Sequence, residues 1–137
     1  MANKKVFVSY DHSEDVHYKE LLRAWDANTD FDFEFDLRSP NVPIDSSEAH
    51  VIQGSLTKKM KESDYILVIV GAKSYNSKWM KWEIDRAKQA DTNLKFAAGK
   101  ISSGNTNPAG LPSSTAIANG FTLAGIVAAL NTAKKAS

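Results

Sequence analysis

Apolar residues along the chain fall into short runs with the patterns of β-strands. Residues 5–10 and 65–70 are nearly continuous apolar runs, which is the pattern of strands buried on both faces of a parallel sheet. Residues 31–36 alternate strictly between phenylalanine and an acidic residue, and this predicts a strand with one wet face near a sheet edge. Residues 94–101 predict a fourth strand, and residues 115–121 predict a weak fifth strand.

The segments between these runs have the periodicity of amphipathic helices. After the first strand, one helical face carries apolar residues spaced three or four positions apart, at Tyr18, Leu21, Leu22 and Trp25. Further helices are predicted over residues 47–62, 78–90 and 122–134. Lys134 and Lys135 are expected at the end of the last helix, where positive charge complements the helix dipole.

Strands that alternate with helices predict a parallel α/β sheet built from right-handed crossovers. With the second strand at the edge, the expected order is the doubly wound 2-1-3-4-5. Ligands of such sheets bind outside the carboxyl ends of the strands at the topological switch point, here between the first and third strands. We therefore expect any chemistry near Ser9, Tyr10, Asp11 and Gly71. No linker or internal repeat divides the chain, which predicts one domain over residues 1–137.

Composition narrows the chemistry available to the chain. It has 17 basic and 16 acidic residues, a net charge of +1 that favours neither nucleic acid nor an acidic membrane as a partner. There is no cysteine, which excludes thiolate nucleophiles, and His12, His17 and His50 lack metal-ligand spacing, so no metal is expected. No apolar run suits a signal peptide or a membrane span, so the predicted compartment is the cytoplasm.

Several familiar nucleotide and phosphate signatures are absent from the sequence. No GxGxxG motif follows the first strand, and no GxxxxGK[ST] loop occurs in the chain. The third strand ends in Val70, Gly71 and Ala72, which offer no aspartate as a phosphoacceptor. A response-regulator function is therefore disfavoured.

The candidate for chemistry is the segment after the third strand, residues 74–83. Trp79 and Glu83 are four positions apart, so a helix beginning after the switch-point loop presents both on one face. A carboxylate beside an indole is partly desolvated, and desolvation disfavours its charged form. Such a group can stabilise the oxocarbenium-like cation that develops when an N- or O-glycosidic bond breaks.

Structural roles for the same residues compete with this interpretation. The indoles of the segment can pack the helix onto the sheet, and Glu83 can pair with Arg86 or face solvent. Asp11 and Asp36 can each be a polar turn residue after a strand. Spacing alone does not decide between these roles and a catalytic one.

The order of these segments resembles a TIR domain, in the bacterial TIR-like form found in Thoeris-type defence systems. Residues 6–10 are similar to the opening strand motif of that family, and Phe35-Asp36 with its proline-containing loop is similar to the second strand and variable loop. The most specific likeness is the S-x-W-x-x-x-E segment formed by Ser77, Trp79 and Glu83 after the third strand. The likeness weakens in the C-terminal third.

This resemblance implies a flavodoxin-like domain that uses NAD as a substrate and needs no separate cofactor. In enzymatic members, a glutamate at the position of Glu83 promotes cleavage of the nicotinamide–ribose bond. The products are nicotinamide and ADP-ribose or a cyclised form, and in bacterial defence the cyclised product signals to a partner effector. The residues that the resemblance places around the substrate are Ser9, Tyr10, Asp11, Asp36 and Trp79.

Two further functions fit the sequence. The first is a non-catalytic interaction module that self-associates, since residues 37–48 form a long polar loop with Pro40 and Pro43, and many TIR domains are adaptors. The second is a small-nucleotide sensor without turnover, which would use the same switch-point crevice.

Overall fold

A computed structural model describes six strands and four helices within residues 4–11, 16–26, 33–36, 44, 46–102 and 104–135. The strands are β1 (Lys4–Ser9), β2 (Phe33–Asp36), β3 (Tyr65–Val70), β4 (Lys95–Lys100), β5 (Ala116–Ala118) and β6 (Lys134–Lys135). The helices are α1 (Val16–Asp26), α2 (Ala49–Lys61), α3 (Lys78–Ala87) and α4 (Leu123–Thr132), and a 3₁₀ turn (Ser74–Asn76) precedes α3. Within these ranges, no helix has the length and apolarity needed to cross a bilayer.

The strands form a sheet in the order β2-β1-β3-β4-β5, in which all neighbours are parallel. This confirms the predicted α/β fold and the edge position of the second strand. On β2, Phe33 and Phe35 are buried while Glu34 between them is exposed, as the alternating pattern predicted. Residues 31 and 32 of that predicted strand lie outside the described residues.

The two faces of the sheet carry separate parts of the core. Successive side chains of a strand point to opposite faces, so Val6 and Val8 pack on the α1 and α4 side, whereas Phe7 packs on the α2 and α3 side. Tyr10 belongs to the α1 and α4 side. Ser9 follows Phe7 by two positions and therefore faces α3.

The predicted end of the last helix is wrong. α4 stops at Thr132, because Ala133 has extended backbone angles, and Lys134–Lys135 form β6 instead of a charged helix terminus. β6 pairs antiparallel with Lys95 and Phe96 of β4. Short β5 pairs only with the next three residues of β4, so β6 covers an edge that would otherwise be open.

The third helix is also shorter than predicted, ending at Ala87 instead of residue 90. The chain turns after it, and Asn93 takes a φ of +45°. Arg86 holds this turn, since its guanidinium donates to both carboxylate oxygens of Asp91 at 2.7 and 2.8 Å. The strand predicted over residues 115–121 is likewise confined to the three residues of β5.

The approach of α4 to β4 gives a test of the packing. A Cβ atom added to Gly99 would overlap Ile126 Cδ1 and lie 3.4 Å from two ring atoms of Phe121. We expect Gly99→Ala to lower the free energy of unfolding by about 1–3 kcal/mol, the usual cost of overpacking. The matched control is Gly54→Ala in α2, where the added methyl group meets open space. Urea unfolding should show Gly54→Ala stabilised by about 0.5–1 kcal/mol. Equal effects of Gly99→Ala and Gly54→Ala would contradict the close packing of α4 on β4.

Candidate functional site

α3 carries an acidic residue on its buried face. The buried residues of the helix are Met80, Glu83, Ile84 and Ala87, which have the spacing of one amphipathic stripe. Glu83 therefore stands where the pattern of burial calls for an apolar residue, and it is only 1% exposed. The start of the helix is set by Ser77, whose hydroxyl oxygen accepts a hydrogen bond from the Met80 backbone N–H at 3.3 Å.

β1 ends beside this buried acid. Ser9, the last residue of β1, is fully buried and donates a hydrogen bond from its hydroxyl group to Glu83 Oε1 at 2.7 Å. The two residues are 74 positions apart in sequence, and the switch point of the sheet brings them together. Among the described residues, the second carboxyl oxygen, Glu83 Oε2, is buried and has no hydrogen-bond partner.

The surroundings of Glu83 change its acidity. Burial raises the pKa of Glu83 from 4.5 to about 8, and the hydrogen bond from Ser9 acts in the opposite direction by favouring the carboxylate. The shift has the predicted direction. At neutral pH the carboxyl group is therefore mostly protonated in the free protein, and an acid tuned in this way is typical of functional sites.

The alternative roles proposed for Glu83 are wrong. Arg86 does not pair with it, because the guanidinium is engaged by Asp91 and donates from Nε to Thr57 Oγ1 at 3.3 Å. Glu83 does not face solvent either, since it lies on the stripe that packs α3 against the sheet.

The packing role predicted for the indoles is confirmed. Trp79 and Trp82 are partly buried and pack against the core between the sheet and helices α2 and α3. Their ring centroids lie 5.9 Å apart with an interplanar angle of 83°, an edge-to-face arrangement. Trp79 lies one turn before Glu83 on α3.

The other predicted site residues flank the same end of the sheet. Asp11 is partly exposed and follows β1, and Asp36 ends β2 with its backbone paired to Phe7 of β1. Tyr10 is buried on the opposite face of β1 from Glu83. Among the predicted site residues, Ser9 and Glu83 are joined by a direct hydrogen bond. In the part of the chain that is described, no cluster of three or more acidic or histidine side chains is placed to hold a metal ion.

Ser74 has a positioning role that the sequence pattern did not predict. It is fully buried in the 3₁₀ turn, and its hydroxyl group accepts a hydrogen bond from the Gly71 N–H at 3.0 Å and donates one to the Gly71 carbonyl at 3.2 Å. This closes the loop between β3 and α3 and so helps to set where α3 begins. The only sequence signal is a serine three residues after a strand-ending glycine, a common turn pattern.

These features define a doubly wound, flavodoxin-like α/β domain with a buried acid at its switch point. The chain belongs to the family described as Thoeris protein ThsB, TIR-like domain, whose family profile matches residues 7–98. The match begins in β1, ends in β4 and includes both Ser9 and Glu83, so the predicted resemblance is confirmed. No curated protein has a sequence that matches this chain.

A solved structure has a similar fold. It is a 2-deoxyribosyltransferase from the psychrotolerant bacterium Bacillus psychrosaccharolyticus, and it superposes with a TM-score of 0.50 at 14% sequence identity. The likeness covers 75% of this chain and 77% of the transferase. At 14% identity, this likeness is evidence for a shared fold and for nothing further.

The raised pKa of Glu83 makes folding stability depend on pH. Between pH 4.5 and about 8, the folded protein holds a proton that the unfolded chain has lost. The free energy of unfolding should therefore be highest below pH 4.5, as far as this group is concerned, and fall as pH rises through 8. A shift of this size corresponds to about 5 kcal/mol.

Glu83→Gln, which is neutral at every pH, should remove most of that slope. We expect the variant to match the wild type at pH 5 and to exceed its stability by roughly 2–4 kcal/mol at pH 8.5. Urea unfolding at pH 5, 7 and 8.5 measures this. Glu62→Gln, which changes the exposed glutamate directly after α2, should keep the wild-type slope. Parallel slopes for the wild type and Glu83→Gln would contradict the assigned pKa.

Proposed function

We propose that this chain is an NAD-consuming enzyme that cleaves the nicotinamide–ribose bond. The observation that carries the proposal is the buried Glu83 carboxyl group, with one oxygen held by Ser9 and the other without a partner among the described residues. Membership of the ThsB TIR-like family and the position of the pair at the switch point support it.

The chemistry of NAD suits a site with a single carboxyl group. When the C1′–N1 bond breaks, its electron pair goes to the pyridinium nitrogen, so nicotinamide leaves as a neutral molecule and needs no acid catalyst. The ribosyl carbon is left as an oxocarbenium-like cation, which a nearby carboxylate stabilises. Water or a nucleophile within the same molecule captures the cation and loses a proton, giving ADP-ribose or a cyclised form.

Each partner of the Ser9–Glu83 pair has a distinct task in this proposal. The Ser9 hydroxyl holds Oε1, and Oε2, which has no partner in the described part of the chain, is the oxygen that would face the ribose. The carboxyl group is mostly neutral before NAD binds, because burial raises its pKa to about 8. A bound pyridinium cation favours the ionised form, since opposite charge lowers the pKa of an acid.

We propose further that the cyclised product acts as a signal to a partner effector in antiviral defence, in keeping with the Thoeris family. The alternative to catalysis is a non-catalytic module that self-associates through the loop at residues 37–48, of which residues 44 and 46–48 are described.

The proposal predicts that nicotinamide release depends on Glu83 and on pH. Purified protein incubated with NAD should release nicotinamide with a kcat/KM that rises with pH to a plateau above about 8, as the free enzyme ionises. Glu83→Gln should lower the rate by at least about 100-fold, the scale of losing one electrostatic stabiliser. Chromatography of nicotinamide and of the ribosyl product measures the pH dependence and the rate of the variant.

The control for this measurement is Glu62→Gln, which removes the exposed carboxylate directly after α2 and should keep the wild-type rate. Release by Glu83→Gln at the wild-type rate would contradict the catalytic assignment. No release by the wild type above the Glu83→Gln rate between pH 6 and 9 would contradict the enzymatic function.

Ser9→Ala tests the positioning role of the hydroxyl group. Loss of this hydrogen bond should raise the pKa of Glu83 further, because the bond favours the carboxylate. The midpoint of the kcat/KM profile should therefore move to higher pH, with a loss of about 10–100-fold at pH 7, as expected for a hydrogen bond to a charged group. Ser77→Ala removes the helix cap of α3 and should leave the midpoint unchanged. An unmoved midpoint in Ser9→Ala would show a purely structural role.

A further inference from the structure

The end of the sheet opposite Glu83 carries a groove of about 470 Å³, which we call the lysine groove. It lies at the amino ends of β1, β3 and β4, and β6 closes one side. Its charged residues are Lys4, Asp64, Lys95 and Lys135, and its uncharged residues include Ser63 and Thr92. Its volume is within the range of pockets that hold small ligands.

The groove concentrates positive charge. Three lysines face one aspartate, a formal charge of +2 in a chain whose net charge is +1. Asp64 already accepts a hydrogen bond from the Lys5 backbone N–H at 3.2 Å. Among the described residues, none of the three ammonium groups has a carboxylate within ion-pair distance.

Two of the three ammonium groups lie over aromatic rings. Lys4 Nζ lies 5.6 Å from the ring centroid of Phe33, and Lys95 Nζ lies 5.3 Å from that of Tyr65. At these distances the ammonium groups are attracted to the ring faces. The positive charge of the groove therefore has preferred positions on the two rings.

The third lysine, Lys135, lies opposite another lysine. The register of β6 puts Lys135 directly opposite Lys95, and like charges in directly opposed positions destabilise a strand pair. Both side chains are exposed, so neither contributes to the core. A bound anion would turn this repulsion into two attractive contacts.

The lysines supply the unused hydrogen-bond donors of the groove. The hydroxyl groups of Ser63 and Thr92 donate to the backbone carbonyls of Lys59 and Arg86 at 2.8 and 2.7 Å, so their protons are used. The ammonium groups bring up to nine N–H donors with no acceptor among the described residues. The matching ligand is therefore rich in acceptor oxygens.

We propose that the lysine groove binds a small anion with two or more phosphate groups, such as inorganic pyrophosphate or a nucleoside diphosphate. More than one phosphate is needed because β3 separates the strands of Lys4 and Lys95, which places their backbones about 10 Å apart. Lysine is a common phosphate-binding residue, acting as a point charge. The site is distinct from the Ser9–Glu83 pair and does not depend on the proposed NAD cleavage.

Pyrophosphate is the probe for this site. Titration into ¹⁵N-labelled protein at 50 mM salt should shift the amide resonances around Asp64, Asn93 and Lys95, with a dissociation constant below about 1 mM. Lys95→Gln/Lys135→Gln should weaken binding at least tenfold and stay folded, because it removes a like-charge pair. The matched control, Lys58→Gln/Lys81→Gln, removes the same charge from exposed positions on α2 and α3 and should bind as the wild type does.

Three outcomes of these titrations would overturn the proposal. They are the absence of shifts in the groove, an equal loss of affinity in the two double variants, and binding of orthophosphate as tight as that of pyrophosphate. Glu83→Gln separates this site from the proposed catalytic one. Unchanged pyrophosphate binding by that variant supports an independent groove, and loss of binding would place the anion at the Glu83 end instead.

Discussion

The position of α3 depends on burying a carboxyl group against the end of β1. Glu83 takes one place in a stripe that also contains Met80 and Ile84, so the helix cannot pack on the sheet without carrying the acid inside. Leaving water costs a carboxylate far more than one hydrogen bond returns, and the Ser9 hydroxyl is the partner that the described residues provide. Protonation reduces the remaining cost. The apolar neighbours on the stripe stabilise the arrangement by their own burial.

A neutral buried acid has a functional consequence that an exposed carboxylate would not have. In the free protein at neutral pH the charge on Glu83 is suppressed by burial, and a cation placed beside it favours the ionised form. A substrate with a pyridinium ring supplies that cation at the moment when a carboxylate is useful. The same feature that lowers stability at high pH therefore suits the proposed chemistry, which is the usual trade between stability and activity.

Much of the fold follows from local patterns, and the site follows from them only in part. The continuous apolar runs and the alternating strand were enough to predict the order 2-1-3-4-5. β6 was not predictable, because Lys134–Lys135 form a strand only where the edge of β4 is left open by β5. The hydrogen bond between Ser9 and Glu83 joins two residues that are 74 positions apart in the sequence. It depends on the register of β1 and β3, which no local pattern encodes. The spacing of Glu83 with Met80, Ile84 and Ala87 did contain the signal that the acid is buried.

The sheet keeps its two polar ends apart. Glu83 lies at the carboxyl ends of the strands and the lysine groove at the amino ends, separated by the six residues of β3, or about 20 Å. The groove lysines are exposed to solvent, and this distance exceeds the Debye length of about 8 Å at physiological ionic strength, so their charge is largely screened from the acid. Every residue of β3 is buried, and a strand packed on both faces offers no second arrangement for a ligand to select. An anion in the groove should therefore leave the acidity of Glu83 unchanged, and the two ends of the sheet should act independently.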